Sequence, residues 1–266
     1  MKDFRNIIMT FLKKTLKVIL CCFLVGFSIF SSTGCSNIKE YVYGDFTYTI
    51  TTNRESVRIS GLSEEGKTKE QIIIPDTIDG LEVESLRFGY YGVNPNKWAS
   101  NNLKKIYFLN SKSIYKDPFI ECSYLQQYFI VNVSENDIDF LNDIKSQKRP
   151  NNEVKAYIFK DAYIYFSSMV EGNVDEDKRF IKPANVTYYY NYFDAENGGC
   201  YWIDNIEIGE KITFIPNDPI CIIDGKEVKT FVGWFTEKEC IYKWDFEKGV
   251  MPESGEINLY AKWIKI

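Results

Sequence analysis

Phe231-Val-Gly-Trp-Phe-Thr-Glu-Lys-Glu-Cys240, Lys243-Trp-Asp-Phe246 and Ile257-Asn-Leu-Tyr-Ala-Lys-Trp263 decide the fold. Phe231, Gly233 and Phe235 alternate with Val232 and Trp234, the period of a strand whose two faces pack differently. Leu259, Ala261 and Trp263 alternate with Tyr260 and Lys262 in the same way. Pro252 and the Ser254-Gly255 pair mark the loop between these strands. Gly233 beside Trp234 predicts a place where the indole needs room against the backbone. Trp234, Trp244 and Trp263 read as core anchors of a small domain, because aromatic rings dominate core burial. An exposed aromatic platform for a ligand is the alternative.

The three pieces, in this order, resemble the motif of the internalin B-type repeat, also called the Listeria–Bacteroides repeat. That pattern reads F-x-G-W-Y/F-x, then K-W/F-D-F, then I-x-L-Y-A-K-W. The resemblance implies a small β-grasp-like module of bacterial surface proteins, with no catalytic residues to carry over. It places the module at 182–266, after a boundary at Lys182-Pro-Ala-Asn185. Thr187 to Phe193 is its expected first strand, Asn197-Gly-Gly199 a turn, and Tyr201 to Ile208 the second strand. Ile220 to Ile223 and the Asp224-Gly225 turn are longer than the link the family has there.

Residues 46–181 read as a second domain of short strands and turns. Phe46-Thr-Tyr-Thr-Ile50 and Ser56-Val-Arg-Ile59 alternate; Gln71-Ile-Ile-Ile74 is an apolar strand stopped by Pro75; Asp79-Gly80 turns into Leu81 to Leu86. Ser63 to Lys69, with Gly66, is a polar link. Leu103-Lys-Lys-Ile-Tyr-Phe108 recurs 22 residues on at Leu125 to Ile130, and 29 further on at Val154 to Phe159. Both shifts fit the period of about 20–29 residues of leucine-rich repeats. The run I-x-I-P-x-x-I-D-G-x-x-V from Ile72, and Phe119-Ile-Glu-Cys-Ser-Tyr-Leu125, resemble the BspA-like leucine-rich repeats. That resemblance implies one strand per copy in a stacked sheet, each copy covered by its neighbour. Ala156 to Val170 reads as one or two strands completing the stack. Glu135 to Asp143 is the one expected helix, with Ile138, Leu141 and Ile144 on one side. The fold class is therefore mainly β: a short leucine-rich-repeat-like β stack, then the β-grasp-like repeat module.

Residues 1–34 read as an address. Lys2, Arg5, Lys13, Lys14 and Lys17 precede an uncharged apolar run from Val18 to Phe30, short of the about 20 residues a membrane span needs. Ser32-Thr33-Gly34-Cys35-Ser36 resembles a bacterial lipobox, with Ser32 where the family prefers Leu. It implies cleavage before Cys35, a diacylglycerol thioether on its sulfur with fatty acids such as palmitate, and a tether at 35–45. A plain secretory signal or an uncleaved anchor are the alternatives. Two or more acyl chains hold a protein on a membrane where one is marginal. The protein would then sit on the extracellular face of the bacterial cell membrane. The leader removes five basic residues and one acid from the chain's 32 and 37, leaving 27 against 36, a net charge of −9. That balance argues against a nucleic-acid partner.

Chemistry is sparse. The chain has no histidine, so no Ser-His or Cys-His pair can form. No metal is expected, since Cys122, Cys200, Cys221 and Cys240 contain no C-x-x-C. These four permit three disulfide pairings, and the sequence does not choose among them; Cys122 reads as a small buried filler. Asn173, Asp175 and Asp177 begin like a calcium loop, but Lys178 stands where the glycine belongs and Ala184 where the closing acid belongs. No cofactor is implied. Tyr188, Tyr190 and Tyr192 would share one strand face, and a stripe of exposed Tyr rings can stack on glycans. Core packing of the same rings is the plainer alternative. The expected function is a non-enzymatic, membrane-anchored surface lipoprotein that binds or adheres to proteins or glycans. An accessory part of a cell-wall or glycan-acting enzyme system, and a passive spacer, are the rivals.

Overall fold

The computed structural model describes residues 39–86, 95–110, 113–114, 117–146, 153–173, 179–223 and 226–266. In chain order the strands are β1 (Glu40–Tyr43), β2 (Phe46–Ile50), β3 (Ser56–Leu62), β4 (Gln71–Ile74), β5 (Thr77–Ile78), β6 (Leu81–Leu86), β7 (Lys105–Asn110), β8 (Ser113–Ile114) and β9 (Gln127–Asn132). Helix α1 (Ile138–Ser146), β10 (Lys155–Ile158), α2 (Lys160–Ser167), β11 (Ile181–Pro183), β12 (Val186–Tyr189), β13 (Cys200–Asp204), β14 (Cys221–Ile223), β15 (Lys226–Phe235) and β16 (Ile257–Lys265) follow. They form three sheets, in the orders β1-β2-β3-β6-β5 with β8 on β6, β11-β10-β9-β7-β4, and β13-β12-β16-β15-β14. The protein is mainly β. Residues 40–266 make one compact unit, so β1 within the expected tether already pairs with β2.

The middle sheet is a parallel ladder in which Ile72, Ile106, Tyr128, Ala156 and Ile181 stand side by side. These residues face one core together with Phe140, Leu141 and Ile144 of α1. Their neighbours Ile73, Tyr107, Phe129 and Tyr157 face a second core shared with the C-terminal sheet. Strands covered on both faces need near-continuous apolar runs, which is what these segments carry. The β7–β9 register is the 22-residue shift of the sequence. The β9–β10 register pairs Gln127 with Lys155, a shift of 28 rather than 29. One residue of slip exchanges the two faces. It brings Tyr157 onto Phe129, at 5.3 Å between ring centres, extending a stack from Tyr107 at 4.5 Å.

Two expectations change. The stretch from Ala156 to Val170 is not strand throughout, because β10 ends at Ile158 and α2 begins at Lys160. The helix buries Phe166 and leaves Ile164 83% exposed. A short apolar run does not by itself distinguish a strand from a helix segment, and Asp161 in the first turn suits the positive helix end. Helix α1 starts three residues later than the expected Glu135, after a single 3-10 turn. Ser134 and Asp137 close a capping box there, the Ser134 amide donating to Asp137 Oδ2 at 2.7 Å.

The expected boundary at 181/182 falls inside β11, which pairs with β10, and the Ala184 amide donates to the Ile158 carbonyl at 2.9 Å. The chain thus passes into β12 without a loose linker. Across the seam the Tyr107 ring stacks on Trp202 at 4.6 Å and lies 5.7 Å from Phe214. In the C-terminal sheet, β12 runs parallel to β16, while β15 runs antiparallel to it. The bulge between Phe231 and Gly233 gives Gly233 a φ of +147°. A Cβ there would lie 2.7 Å from Lys243 Cε, so the room is needed by the Lys243 side chain rather than the indole. Trp234 is buried, whereas Trp244 and Trp263 are half-buried at the edge of that core.

Candidate functional site

The expected tyrosine strand stops early. β12 ends at Tyr189, and Asn191 and Asp194 take φ of 54° and 57°, which turns 190–199 into a loop. Short polar side chains tolerate that left-handed region best. Asn191 fastens the loop: its Nδ2 donates to the Lys238 carbonyl at 3.0 Å and the Ala261 carbonyl at 3.1 Å. Trp263 Nε1 donates to the Tyr190 carbonyl at 2.5 Å.

The three sequence-predicted tyrosines therefore separate. Tyr188 is fully buried, edge-on to Trp234 at 4.9 Å, and its ring does not reach solvent. Tyr190 is half-buried between Tyr192 and Tyr201. Tyr192 is half-buried and the most outward of the three, with its ring 5.7 Å from Trp263 and the Lys229 ammonium 5.5 Å from its centre. Burial raises the hydroxyl pKa of all three, so at neutral pH they act as neutral donors and acceptors. Cys35 lies outside the described residues, as do Asp175 and Asp177. Asn173 is committed to the fold: its Nδ2 donates to the Ser167 carbonyl at 3.1 Å, and its Oδ1 accepts from the Ile181 amide at 3.1 Å.

Asn191 sits between two grooves. The first, about 510 Å³, is lined by Asp161, Tyr189, Tyr192, Phe193, Lys238 and Tyr260, with Gly198 and Gly199 forming an open wall. Tyr189 and Tyr260 are register partners on parallel strands, and their rings stack at 5.0 Å and 11°. Phe193 is 89% exposed at its mouth. Asp161, at the start of α2, makes no hydrogen bond or ion pair among the described residues, so its carboxylate is available. Burial also raises the Tyr189 and Tyr260 hydroxyls. The second groove, about 430 Å³, is lined by Lys229, Glu239, Cys240, Lys262, Trp263 and Lys265 beside Asn191 and Ala261.

Sequence reading missed Phe193, Tyr260 and Asp161. Phe193 carried a signal, since it precedes the turn-forming run Asp194-Ala-Glu-Asn-Gly-Gly199 and so stands at a loop rather than mid-strand. Asp161 carried none, because its neighbours in the groove come from beyond residue 188. The four cysteines are free and buried. Cys122 Sγ donates to the Trp98 carbonyl at 3.1 Å, the packed role expected of it. Among the described residues no cluster of metal-ligating side chains occurs, and no helix is long and apolar enough to cross a membrane.

No curated protein and no solved structure matches the chain. Residues 189–262 match the family model described as the Listeria–Bacteroides repeat domain. The segment that builds most of both grooves is thus similar to a repeat domain of bacterial surface proteins.

Proposed function

We propose that this protein is a non-catalytic bacterial surface lipoprotein, anchored through Cys35, that binds uncharged glycans in the groove of Tyr189, Tyr192, Phe193 and Tyr260. The leucine-rich-repeat-like ladder serves as the rigid base on which that groove is built. The carrying observation is the exposed Phe193 ring beside the stacked Tyr189–Tyr260 pair, with the unpaired Asp161 carboxylate on the rim. Sugar rings offer C–H faces to aromatic rings and hydroxyls to carboxylates and phenols, and small-molecule sites combine those two kinds of lining. The neutral tyrosine hydroxyls support binding rather than nucleophilic chemistry. Of the tyrosine stripe, Tyr192 remains in the site; Tyr190 positions the loop, and Tyr188 supports it from the core.

Two measurements test this reading. The full chain, extracted in mild detergent, is probed on an array of uncharged oligosaccharides beside its Phe193→Ala and Asp161→Ala variants. Binding by the wild type and loss in both variants is expected; an array without a hit, or variants that bind equally, overturns it. In cells, Cys35→Ala is expected to move the protein from the membrane to the soluble fraction, and retention on the membrane refutes the anchor.

A further inference from the structure

We propose that the second groove, on the other side of Asn191, binds a carboxylated or sulfated saccharide through Lys229, Lys265 and Trp263. Lys229 on β15 stands directly opposite Lys265 on β16. Like charges at directly opposite positions repel and weaken an antiparallel pair. Neither ammonium forms an ion pair among the described residues, whereas Lys262 leaves β16 from the opposite face and its ammonium is held by the Cys240 carbonyl. Glu239 is the one acid in the lining, against the opposed pair Lys229 and Lys265. An anionic ligand would relieve the Lys229–Lys265 repulsion that the folded protein otherwise carries.

The rest of the lining specifies more than an anion. Trp263 is half-buried, and its indole N–H is held by the Tyr190 carbonyl, which fixes the ring before any ligand arrives. Lys229 lies over the Tyr192 ring and Lys262 over the Phe235 ring at 4.8 Å, and Lys262 Nζ also donates to the Cys240 carbonyl at 3.1 Å. The Lys229 ammonium is thereby positioned, which lowers the ordering cost of binding. A fixed aromatic ring beside a positioned ammonium suits a sugar bearing a carboxylate or sulfate. The volume of about 430 Å³ lies within the range of small-molecule pockets and holds a short saccharide rather than a nucleic-acid duplex.

The site differs from the one assigned to uncharged glycans, and the variants separate them. The full chain in mild detergent is titrated with a sulfated tetrasaccharide, a hyaluronan tetrasaccharide, uncharged chitotetraose, inorganic sulfate, and vesicles of phosphatidylcholine with phosphatidylglycerol. In the Phe193→Ala variant, where the first groove no longer takes uncharged glycans, at least one acidic tetrasaccharide is expected to bind about tenfold or more tightly than chitotetraose, the scale of one charge-assisted hydrogen bond. That binding should weaken as salt screens the lysines. Lys265→Glu is expected to lower the affinity about tenfold or more while raising the thermal midpoint, because it turns the repulsive cross-strand pair into an attractive one. A merely structural role for Lys265 would move both readouts in the same direction. Phe193→Ala should leave acidic-saccharide binding unchanged. Wild-type affinity in Lys265→Glu, equal binding of chitotetraose in Phe193→Ala, or binding of sulfate alone or of the vesicles as tightly as the acidic sugars overturns the proposal.

Discussion

Tyr107 Oη donates a hydrogen bond to Asp204 Oδ1 at 3.2 Å, across the seam between the parallel ladder and the C-terminal sheet. The same oxygen accepts from Lys105 Nζ at 3.2 Å and from the Asn205 amide at 2.8 Å. Residues about a hundred positions apart thus meet at one buried carboxylate, ringed by the stacked Tyr107, Trp202 and Phe214. A buried charge of this kind is favourable only while all its partners stay in place.

The pH dependence of stability follows from Asp204. Burial raises its pKa above the ordinary 3.8, and the Lys105 charge only partly offsets this. A carboxyl raised in the folded state adds stability below its unfolded value, and that contribution is lost as pH rises through the folded value. Asp204→Asn keeps an acceptor for Tyr107 and removes this loss. Its urea-unfolding free energy should vary less with pH above 3.8 than that of the wild type. Asp204→Ala instead leaves Lys105 and Tyr107 without their partner and should cost about 3–5 kcal/mol at neutral pH.

The aromatic seam should make the ladder and the C-terminal sheet unfold together. Trp202 is buried and stacks on Tyr107 at 4.6 Å. Trp202→Ala is expected to cost about 3–5 kcal/mol through the cavity it leaves. In the wild type, tryptophan fluorescence and far-UV dichroism should report one coincident transition in urea. Separate midpoints for the two probes would show that the seam does not couple the two regions.

Gly66 is predicted to be intolerant of any side chain. A Cβ there would lie 2.1 Å from the Asp45 carbonyl oxygen, which is backbone and cannot rotate away. The Gly66 amide also donates to Ser63 Oγ at 3.0 Å. Gly66→Ala should destabilise by about 1–3 kcal/mol, the usual cost of overpacking. At Gly80 the surrounding space is open and φ is +79°, so Gly80→Ala should cost only the backbone strain, about 1–2 kcal/mol. Thermal unfolding of both variants checks the order.

Cys122, Cys200, Cys221 and Cys240 should resist alkylation in the folded protein. All four are buried, and burial pushes the Cys200 and Cys240 thiols above their ordinary pKa. The thiolate is the reactive form, so both access and ionisation are suppressed. Peptide mass analysis after iodoacetamide treatment should find these four unmodified in the native state and fully modified in denaturant.

The C-terminal module was legible because its aromatic residues recur at strand period around Gly233 and the Pro252 to Gly255 loop. The first repeat of the ladder was legible for the same reason, since Leu103 and Leu125 begin runs of similar chemistry. The third copy was misplaced by one residue because Val154-Lys-Ala-Tyr-Ile-Phe159 is apolar enough to fit either register. The Tyr107–Phe129–Tyr157 stack selects between them. Helix α2 was missed because Ala162 to Phe166 is apolar without a periodicity that excludes a strand.

By itself the sequence determined the mainly β character, the C-terminal stretch similar to a known repeat domain and the exclusion of histidine chemistry. These depend on residue type and on local spacing. The tertiary structure alone decided that Tyr188 is buried while Phe193 is exposed, and that Lys229 faces Lys265. It also set Asp161 of α2 beside Tyr260 of β16. Alternation along a strand separates its two faces, but which neighbour covers each face depends on contacts between distant parts of the chain.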